Sequence, residues 1–90
     1  MLFMTVYTYE PENREAVIKK RAEKGPLLPP GVKSMGEWSA VGGGRVFRLV
    51  EADDTRALLA AVHPWADLGK IEAYPVMPVD DVIKLLAGKK

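Results

Sequence analysis

The sequence predicts an α+β fold in which four strands and two helices follow the order β-α-β-β-α-β, with a third helix at the C-terminal end. Segments rich in β-branched and aromatic residues alternate with segments in which apolar residues recur at helical spacing. The first and third strand segments are apolar on both faces, whereas the second and fourth contain glycine or proline, which favour sheet edges. These observations predict a ferredoxin-like sheet with the spatial order 4-1-3-2.

Local patterns along the chain place the elements. Strands, recognised by β-branched and aromatic runs, are predicted over residues 2–9, 32–41, 45–52 and 70–78. Helices, recognised by apolar residues three and four apart, are predicted over residues 10–25, 53–62 and 81–90. The proline-rich residues 26–31 form an extended loop. Glycines 42–44 connect a hairpin and do not form a phosphate loop, since neither a helix start nor a Lys-Ser/Thr pair follows them.

Capping residues and prolines mark the boundaries of these elements. The predicted helix starts are Pro11 or Asn13, Asp53 or Asp54, and Asp80. Gly25 ends the first helix and Pro64 ends the second, after which residues 64–69 form a short extra turn. Pro75 requires that the fourth strand lie at an edge or contain a bulge. The inner face of the second helix is predicted to consist of Leu58, Leu59 and Val62.

The bulk composition indicates one small domain spanning residues 1–90. Apolar residues make up 48% of the chain and charged residues 28%, with a net charge of +1, which disfavours nucleic acid and anionic membranes as partners. The chain has no cysteine, which excludes disulfides, thiolate catalysis and thiolate metal ligands. Since the first residues resemble neither a signal peptide nor a membrane span, we expect a cytoplasmic protein.

Two helices can cover only one face of a four-stranded sheet. The other face would carry half of the apolar side chains of two central strands, a larger apolar patch than a monomer usually exposes. A second copy of the sheet, related by a two-fold axis, would cover it, and the terminal helix would reach over to hold that copy. The sequence therefore predicts a homodimer.

A family resemblance agrees with this expectation. The stretches "PENREAV", "GEWSAVGGGRVFRLVEADD" and "WADLGKIEAYPV" resemble the domain-of-unknown-function family 3303, and the whole chain resembles the dimeric α+β barrel superfamily. That superfamily includes antibiotic-biosynthesis-type monooxygenases, haem-degrading enzymes, muconolactone isomerases and ligand-sensing regulators. The resemblance implies a pocket between the helices and the sheet, or within the barrel, near the subunit interface. It does not choose among these activities, because fold alone does not determine function.

His63, the only histidine, is the candidate catalytic residue. Its ordinary pKa suits a general base near neutral pH. The alternative is a structural role, because it stands at a helix end before a proline, where histidine interacts favourably with the helix dipole. The Asn, Trp and His of the haem-degrading relatives do not align with this chain. One histidine and scattered carboxylates also make a poor metal site, so no metal or cofactor is predicted.

Five further residues are candidates for ligand binding: Tyr7, Trp38, Arg48, Glu51 and Trp65. The tryptophans would form aromatic walls for a planar organic ligand, or else belong to the core or an interface, and Tyr7 would orient such a ligand through its hydroxyl. Arg48 lies in the middle of a central strand, so it must pair with Glu37 or Glu72, or reach a cavity and anchor an acidic substrate.

The resulting hypothesis is a homodimer that binds a small aromatic or acidic metabolite. As an enzyme it would resemble the cofactor-independent monooxygenases or isomerases of the superfamily. The alternative is a non-catalytic module, either a ligand sensor or a structural dimer that acts with a separate partner. A haem or metal protein that uses His63 is a third hypothesis. The sequence leaves open whether the protein is an enzyme.

Overall fold

The computed structural model describes residues 1–88 of the chain. Its strands are β1 (Leu2–Thr8), β2 (Val32–Ser39), β3 (Arg45–Ala52) and β4 (Lys70–Pro75). Its α-helices are α1 (Arg14–Lys24), α2 (Thr55–Val62) and α3 (Val79–Ala87). Short 3-10 turns at Pro11–Asn13 and His63–Trp65 precede α1 and follow α2. The predicted α+β class and the order β-α-β-β-α-β with a terminal helix are confirmed.

The four strands form one antiparallel sheet with the order β2-β3-β1-β4, which confirms the predicted central position of the first and third strands. Pro75 is the last residue of the edge strand β4, a position that tolerates proline. The bulge lies in the other edge strand, where the register of β2 against β3 shifts between Ser34 and Gly36. Both strands that contain glycine or proline are therefore edge strands, as the sequence indicates.

One face of the sheet, called the inner face here, packs against α1, α2 and the turn that follows α2. It carries Phe3, Thr5 and Tyr7 of β1, which are all buried. Its apolar residues form two separate clusters. The first contains Phe3, Val50, Ala52 and Leu58. The second contains Tyr7, Tyr9, Val17 and Trp65.

The opposite face, called the open face here, has no helix packed over it within residues 1–88. Val6 of β1 lies opposite Phe47 of β3, which lies opposite Trp38 of β2. Met4 and Leu49 form the next such pair. These side chains are half-buried or exposed although they are large and apolar. The open face is thus the uncovered apolar surface that the sequence predicts.

Helix α2 shows how a local cap and a proline set the length of an element. The Asp54 side chain accepts a hydrogen bond of 2.8 Å from the backbone N–H of Ala57, so Asp54 and not Asp53 is the N-cap. The prediction that Leu59 lies on the inner face is wrong, because 63% of Leu59 is exposed. The buried residues are Leu58 and Ala61, whose spacing of three places them on one side of the helix.

Helix α3 ends at Ala87, whereas the predicted helix runs over residues 81–90, of which Lys89 and Lys90 lie outside the described residues. None of its residues is buried.

The described chain measures 53 × 30 × 17 Å, and its radius of gyration is 15.0 Å. A compact chain of this length would have a radius of gyration of about 12 Å. No helix within residues 1–88 has both the length and the apolar character needed to cross a membrane.

Candidate functional site

A row of polar residues crosses the inner face between its two apolar clusters. Arg48 in the middle of β3 lies opposite Thr5 of β1 on one side and opposite Glu37 of β2 on the other. The Thr5 hydroxyl donates a hydrogen bond of 3.1 Å to the backbone carbonyl of Arg48. Since directly opposed residues of antiparallel strands share a face, all three side chains are on the helix side of the sheet. The polar row therefore interrupts what would otherwise be one continuous core.

A cavity of about 70 Å³ lies over this row, between the sheet and the helices. It would accommodate on the order of five water molecules, or a small organic group. Helix α1 contributes Val17 and Arg21, and the end of α2 with its following turn contributes Val62 and Trp65. The strands contribute Thr5, Tyr7, Glu37, Val46, Arg48 and Ile71.

Arg48 is the most unusual residue of this cavity, because it is only 6% exposed. The expected partner Glu37 lies opposite it but forms an ion pair of 3.0 Å with Arg21 of α1 instead. The other expected partner, Glu72, lies opposite Val6 and therefore on the open face. Within residues 1–88 no carboxylate forms an ion pair with Arg48. Burial lowers the pKa of its guanidinium, although the nearby Glu37 opposes that shift.

Three buried hydrogen-bonding atoms on residues that line the cavity have no partner among the described residues. They are Tyr7 Oη, Arg48 Nε and Trp65 Nε1. Each belongs to a side chain that lines the cavity. A buried polar group without a partner is costly, and such groups are few in native proteins. Three such groups lie on side chains of one cavity, which makes this cavity the most unusual polar region among residues 1–88.

The burial of Tyr7 also affects its acidity. Loss of hydration, with smaller contributions from Asp67 and Tyr9, raises the pKa of the Tyr7 hydroxyl to about 12. At neutral pH this hydroxyl is therefore protonated, and it can donate a hydrogen bond into the cavity.

Contacts with Tyr7 and Lys20 fix the position of Trp65. Its ring meets that of Tyr7 edge-on, with a centroid distance of 6.0 Å and an interplanar angle of 69°. The Lys20 ammonium lies 5.1 Å from the centre of the Trp65 ring and donates hydrogen bonds to the carbonyl of Pro64 and to the Asp67 carboxylate. The hydrogen bond from Lys20 lowers the pKa of Asp67. Lys20 thus ties the turn that carries Trp65 to α1.

Gly69 supports the other wall of the cavity, because the backbone passes close to the Tyr7 ring there. A Cβ atom at this position would lie 2.5 Å from the carbonyl oxygen of Thr8 and 2.7 Å from the Tyr7 ring. Only glycine permits this approach without displacing one of them. Gly69 is therefore a supporting residue of the site.

The structure brings together three of the six predicted site residues, since Tyr7, Arg48 and Trp65 all line the cavity. Trp38 lies on the open face, is 56% exposed, and covers Gly36 of its own strand. Glu51 also lies on the open face, where its carboxylate is 2.7 Å from the amino group of Met1. His63 is exposed at the C-terminal end of α2. None of these last three lines the cavity.

Sequence reasoning missed several residues of the cavity. Thr5 and Val46 could have been found from the two-residue period of strands, because Thr5 shares the face of Tyr7 and Val46 shares that of Arg48. Arg21 belongs to the basic run of α1, a pattern that is typical of a solvent-exposed helix face. Its place at the cavity depends on the ion pair with Glu37, a tertiary contact that no local pattern reveals.

The fold and the cavity together define the class of this protein. It is a small ferredoxin-like α+β protein with a partly open, mainly apolar cavity between its sheet and its helices, and Tyr7, Arg48 and Trp65 are among the lining residues. Residues 1–88 contain no group of three or more His, Cys, Asp or Glu side chains placed to hold a metal ion. The chain belongs to the family described as Domain of unknown function (DUF3303), whose model matches residues 1–90. No curated protein and no solved structure matches it.

Proposed function

We propose that this protein is a small-molecule-binding homodimer of the dimeric α+β barrel superfamily, and that the cavity over Arg48 is its binding site. The observation that carries the proposal is the set of three buried, unpartnered groups on Tyr7, Arg48 and Trp65. A core that served only stability would be expected to pair such groups or replace them with apolar ones. Here the three side chains are among those that line one cavity of about 70 Å³.

The homodimer is supported by the open face and by α3. The open face exposes Trp38 beside the half-buried Phe47 and Val6. In α3, four apolar side chains recur at positions i, i+3, i+4 and i+7, which is the stripe of a helix that packs against something. They are Val79, Val82, Ile83 and Leu86, and none of them is buried. A second copy would cover both surfaces through one two-fold interface.

Binding is favoured over general-base catalysis by the groups that line the cavity. His63 is outside it, and the one lining carboxylate, that of Glu37, is engaged with Arg21. Because the pKa of Tyr7 is about 12, its hydroxyl donates a hydrogen bond at neutral pH but does not abstract a proton. The primary proposal is therefore a binding protein, such as a ligand sensor.

Tyr7 also supports a second candidate function, that of a cofactor-independent isomerase or monooxygenase. A protonated hydroxyl and the Arg48 guanidinium, on residues that line the same cavity, could together stabilise negative charge developing on a substrate oxygen. This candidate predicts that Tyr7→Phe abolishes turnover, whereas a pure binding protein converts none of the molecules that it binds.

The binding proposal is tested by filling the cavity. Val46→Phe places a larger side chain in it, and Val41→Phe places the same side chain in the exposed hairpin as a matched control. Native mass spectrometry is recorded with a mixture of small acids, amides and alcohols. We expect a dimer that binds a component of the mixture in the wild type and in Val41→Phe but not in Val46→Phe. Binding that survives Val46→Phe, or no binding at all, would contradict the proposal.

The dimer is tested separately on α3. Ile83→Gln removes an apolar side chain from the stripe, and Lys84→Gln changes the next residue on the polar side as a control. We expect Ile83→Gln to weaken dimerisation by about tenfold or more and Lys84→Gln to leave it nearly unchanged. Sedimentation equilibrium measures both. A wild-type monomer at high concentration would contradict the homodimer.

A further inference from the structure

We infer that the ligand of the cavity is a small organic monocarboxylate, whose carboxylate group binds Tyr7, Arg48 and Trp65. The inference rests on the proposed function, because it takes the cavity as a binding site and adds the chemical class of the ligand. Three properties of the cavity support a monocarboxylate: the hydrogen-bonding character of the unpartnered groups, the charge of the lining, and the size and apolar walls of the cavity.

The unpartnered groups require an acceptor. Arg48 Nε and Trp65 Nε1 can only donate, and the protonated hydroxyl of Tyr7 has a hydrogen to donate. An ionised carboxylate only accepts, and its two oxygens offer about four lone-pair sites, enough for three donors. An amide or an alcohol would bring a donor of its own. The Glu37 carboxylate that could accept from it is already bound to Arg21.

The charge of the cavity requires one negative charge. Its charged lining residues are Arg21, Glu37 and Arg48. Arg21 and Glu37 neutralise each other across 3.0 Å, which leaves Arg48 as a buried cation without an ion-pair partner among residues 1–88. A monoanion compensates this charge, and charge-assisted hydrogen bonds are stronger than neutral ones. A dianion would bring a second negative charge for which this lining holds no further cation.

The size and the walls of the cavity limit the rest of the ligand. A volume of about 70 Å³ admits a carboxylate with only a short body. The walls away from the donors are apolar and are formed by Val17, Val46, Val62 and Ile71. The part of the ligand inside the cavity is therefore a carboxylate with a short, compact and apolar body.

The experiment compares propionate with propionamide, which have nearly the same size and shape but differ in charge and in donors. Each is titrated into the ¹⁵N-labelled full-length protein, and the indole N–H resonance of Trp65 is followed. The Trp38 indole on the open face is an internal control. We expect propionate to shift the Trp65 resonance in a saturable way, the Trp38 resonance to stay unchanged, and propionamide to bind about tenfold more weakly or worse.

Two variants and a control assign the effect to the residues. Arg48→Met removes the charge and should weaken propionate binding by about tenfold or more. Tyr7→Phe removes one donor and should weaken it by about threefold to tenfold. Tyr74→Phe, an exposed residue of the edge strand β4, should leave it unchanged. If Arg48→Met does not fold, Tyr7→Phe carries the test, because it removes only a hydroxyl that has no partner in the described chain.

The outcomes separate this inference from the proposed function. Propionamide binding as tightly as propionate would overturn the acid and leave the cavity as a binding site. Inorganic phosphate that displaces propionate at equal concentration would also overturn it, by showing a general oxyanion site. If neither propionate, butyrate nor any component of the small-molecule mixture binds, both the inference and the proposed function are contradicted.

Discussion

The two faces of the sheet are incomplete in opposite ways. On the inner face, Tyr7 and Arg48 are buried, yet polar atoms of both lack hydrogen-bond partners within residues 1–88. On the open face, Trp38 is apolar, yet it is exposed. Within each strand, successive side chains point to alternate faces, so residues of the inner face alternate with residues of the open face. Under the proposed function, a small polar ligand would complete one face and an apolar surface of protein size would complete the other.

The two tryptophans give the largest contrast between the faces. Trp65→Ala removes a buried side chain and should lower the free energy of unfolding by about 3–5 kcal/mol. Trp38→Ala should cost the isolated monomer less than about 1 kcal/mol, because the side chain is largely exposed. Under the proposed dimer, however, its cost should depend on protein concentration. Urea unfolding at two protein concentrations measures the loss of stability in both variants. Equal losses that do not depend on protein concentration would contradict the expected difference between the two faces.

Alkaline pH should act through the inner face. The pKa of Tyr7 is raised to about 12 in the folded protein, against 10.0 for an unburied tyrosine. The stability linked to this proton is fully present below pH 10 and is lost as the pH rises through the folded pKa. With a discount for solvent screening, a shift of this size corresponds to about 1–2 kcal/mol. Tyr7→Phe should abolish that part of the alkaline loss, and urea unfolding of both proteins from pH 9 to pH 12 compares the slopes.

Gly69 offers a way to disturb the inner face alone. In Gly69→Ala the new methyl group would meet the Tyr7 ring and the Thr8 carbonyl, so we expect a loss of about 1–3 kcal/mol and weaker binding in the cavity. Gly42→Ala adds a methyl group where nothing lies within 4 Å, and it should have little effect. Thermal unfolding of the two variants provides the comparison. Dimerisation of Gly69→Ala should be unchanged, because the cavity and the open face are on opposite sides of the sheet.

The smallest effect concerns the contact between Lys20 and Asp67. Their hydrogen bond lowers the pKa of Asp67, so the associated stability is present above the ordinary value of 3.8 and is lost as the pH falls through the folded pKa. Asp67→Asn should therefore be slightly less stable than the wild type at neutral pH, with a difference that shrinks in acid. Because Asp67 is exposed, a large effect at neutral pH would show that it supports Trp65 more than the contacts indicate.

The fold could be predicted because its pattern is repeated at several levels. Strands β1 and β3 are apolar on both faces, which places them in the centre of the sheet. Gly36 of β2 and Pro75 of β4 place those two strands at the edges, which gives the same order. The prediction for Leu59 is wrong because residues 57–62 are all apolar, and an unbroken apolar run leaves the rotation of a short helix ambiguous.

A site residue could be predicted only where the sequence places a charged side chain at a position expected to be buried. Arg48 stood out because a charge in the middle of a central strand needs a partner or a cavity, and the structure places it at a cavity. His63 is a candidate catalytic base only because of its side-chain chemistry. The sequence does not show whether a residue at the end of a helix faces the cavity or the solvent. The ion pair of Arg21 with Glu37 joins α1 to β2, so it could not be read from either segment separately.

The polar row across the inner face has a consequence for how long the protein persists in a cell. A buried cation without a counter-charge leaves the empty fold less stable than a fully apolar core would be, and a bound acid would restore part of that stability. Partly unfolded molecules are removed by proteases, so small differences in stability change abundance several-fold. Under the proposed function, the amount of the protein would rise and fall with the supply of that acid, without any change in its synthesis.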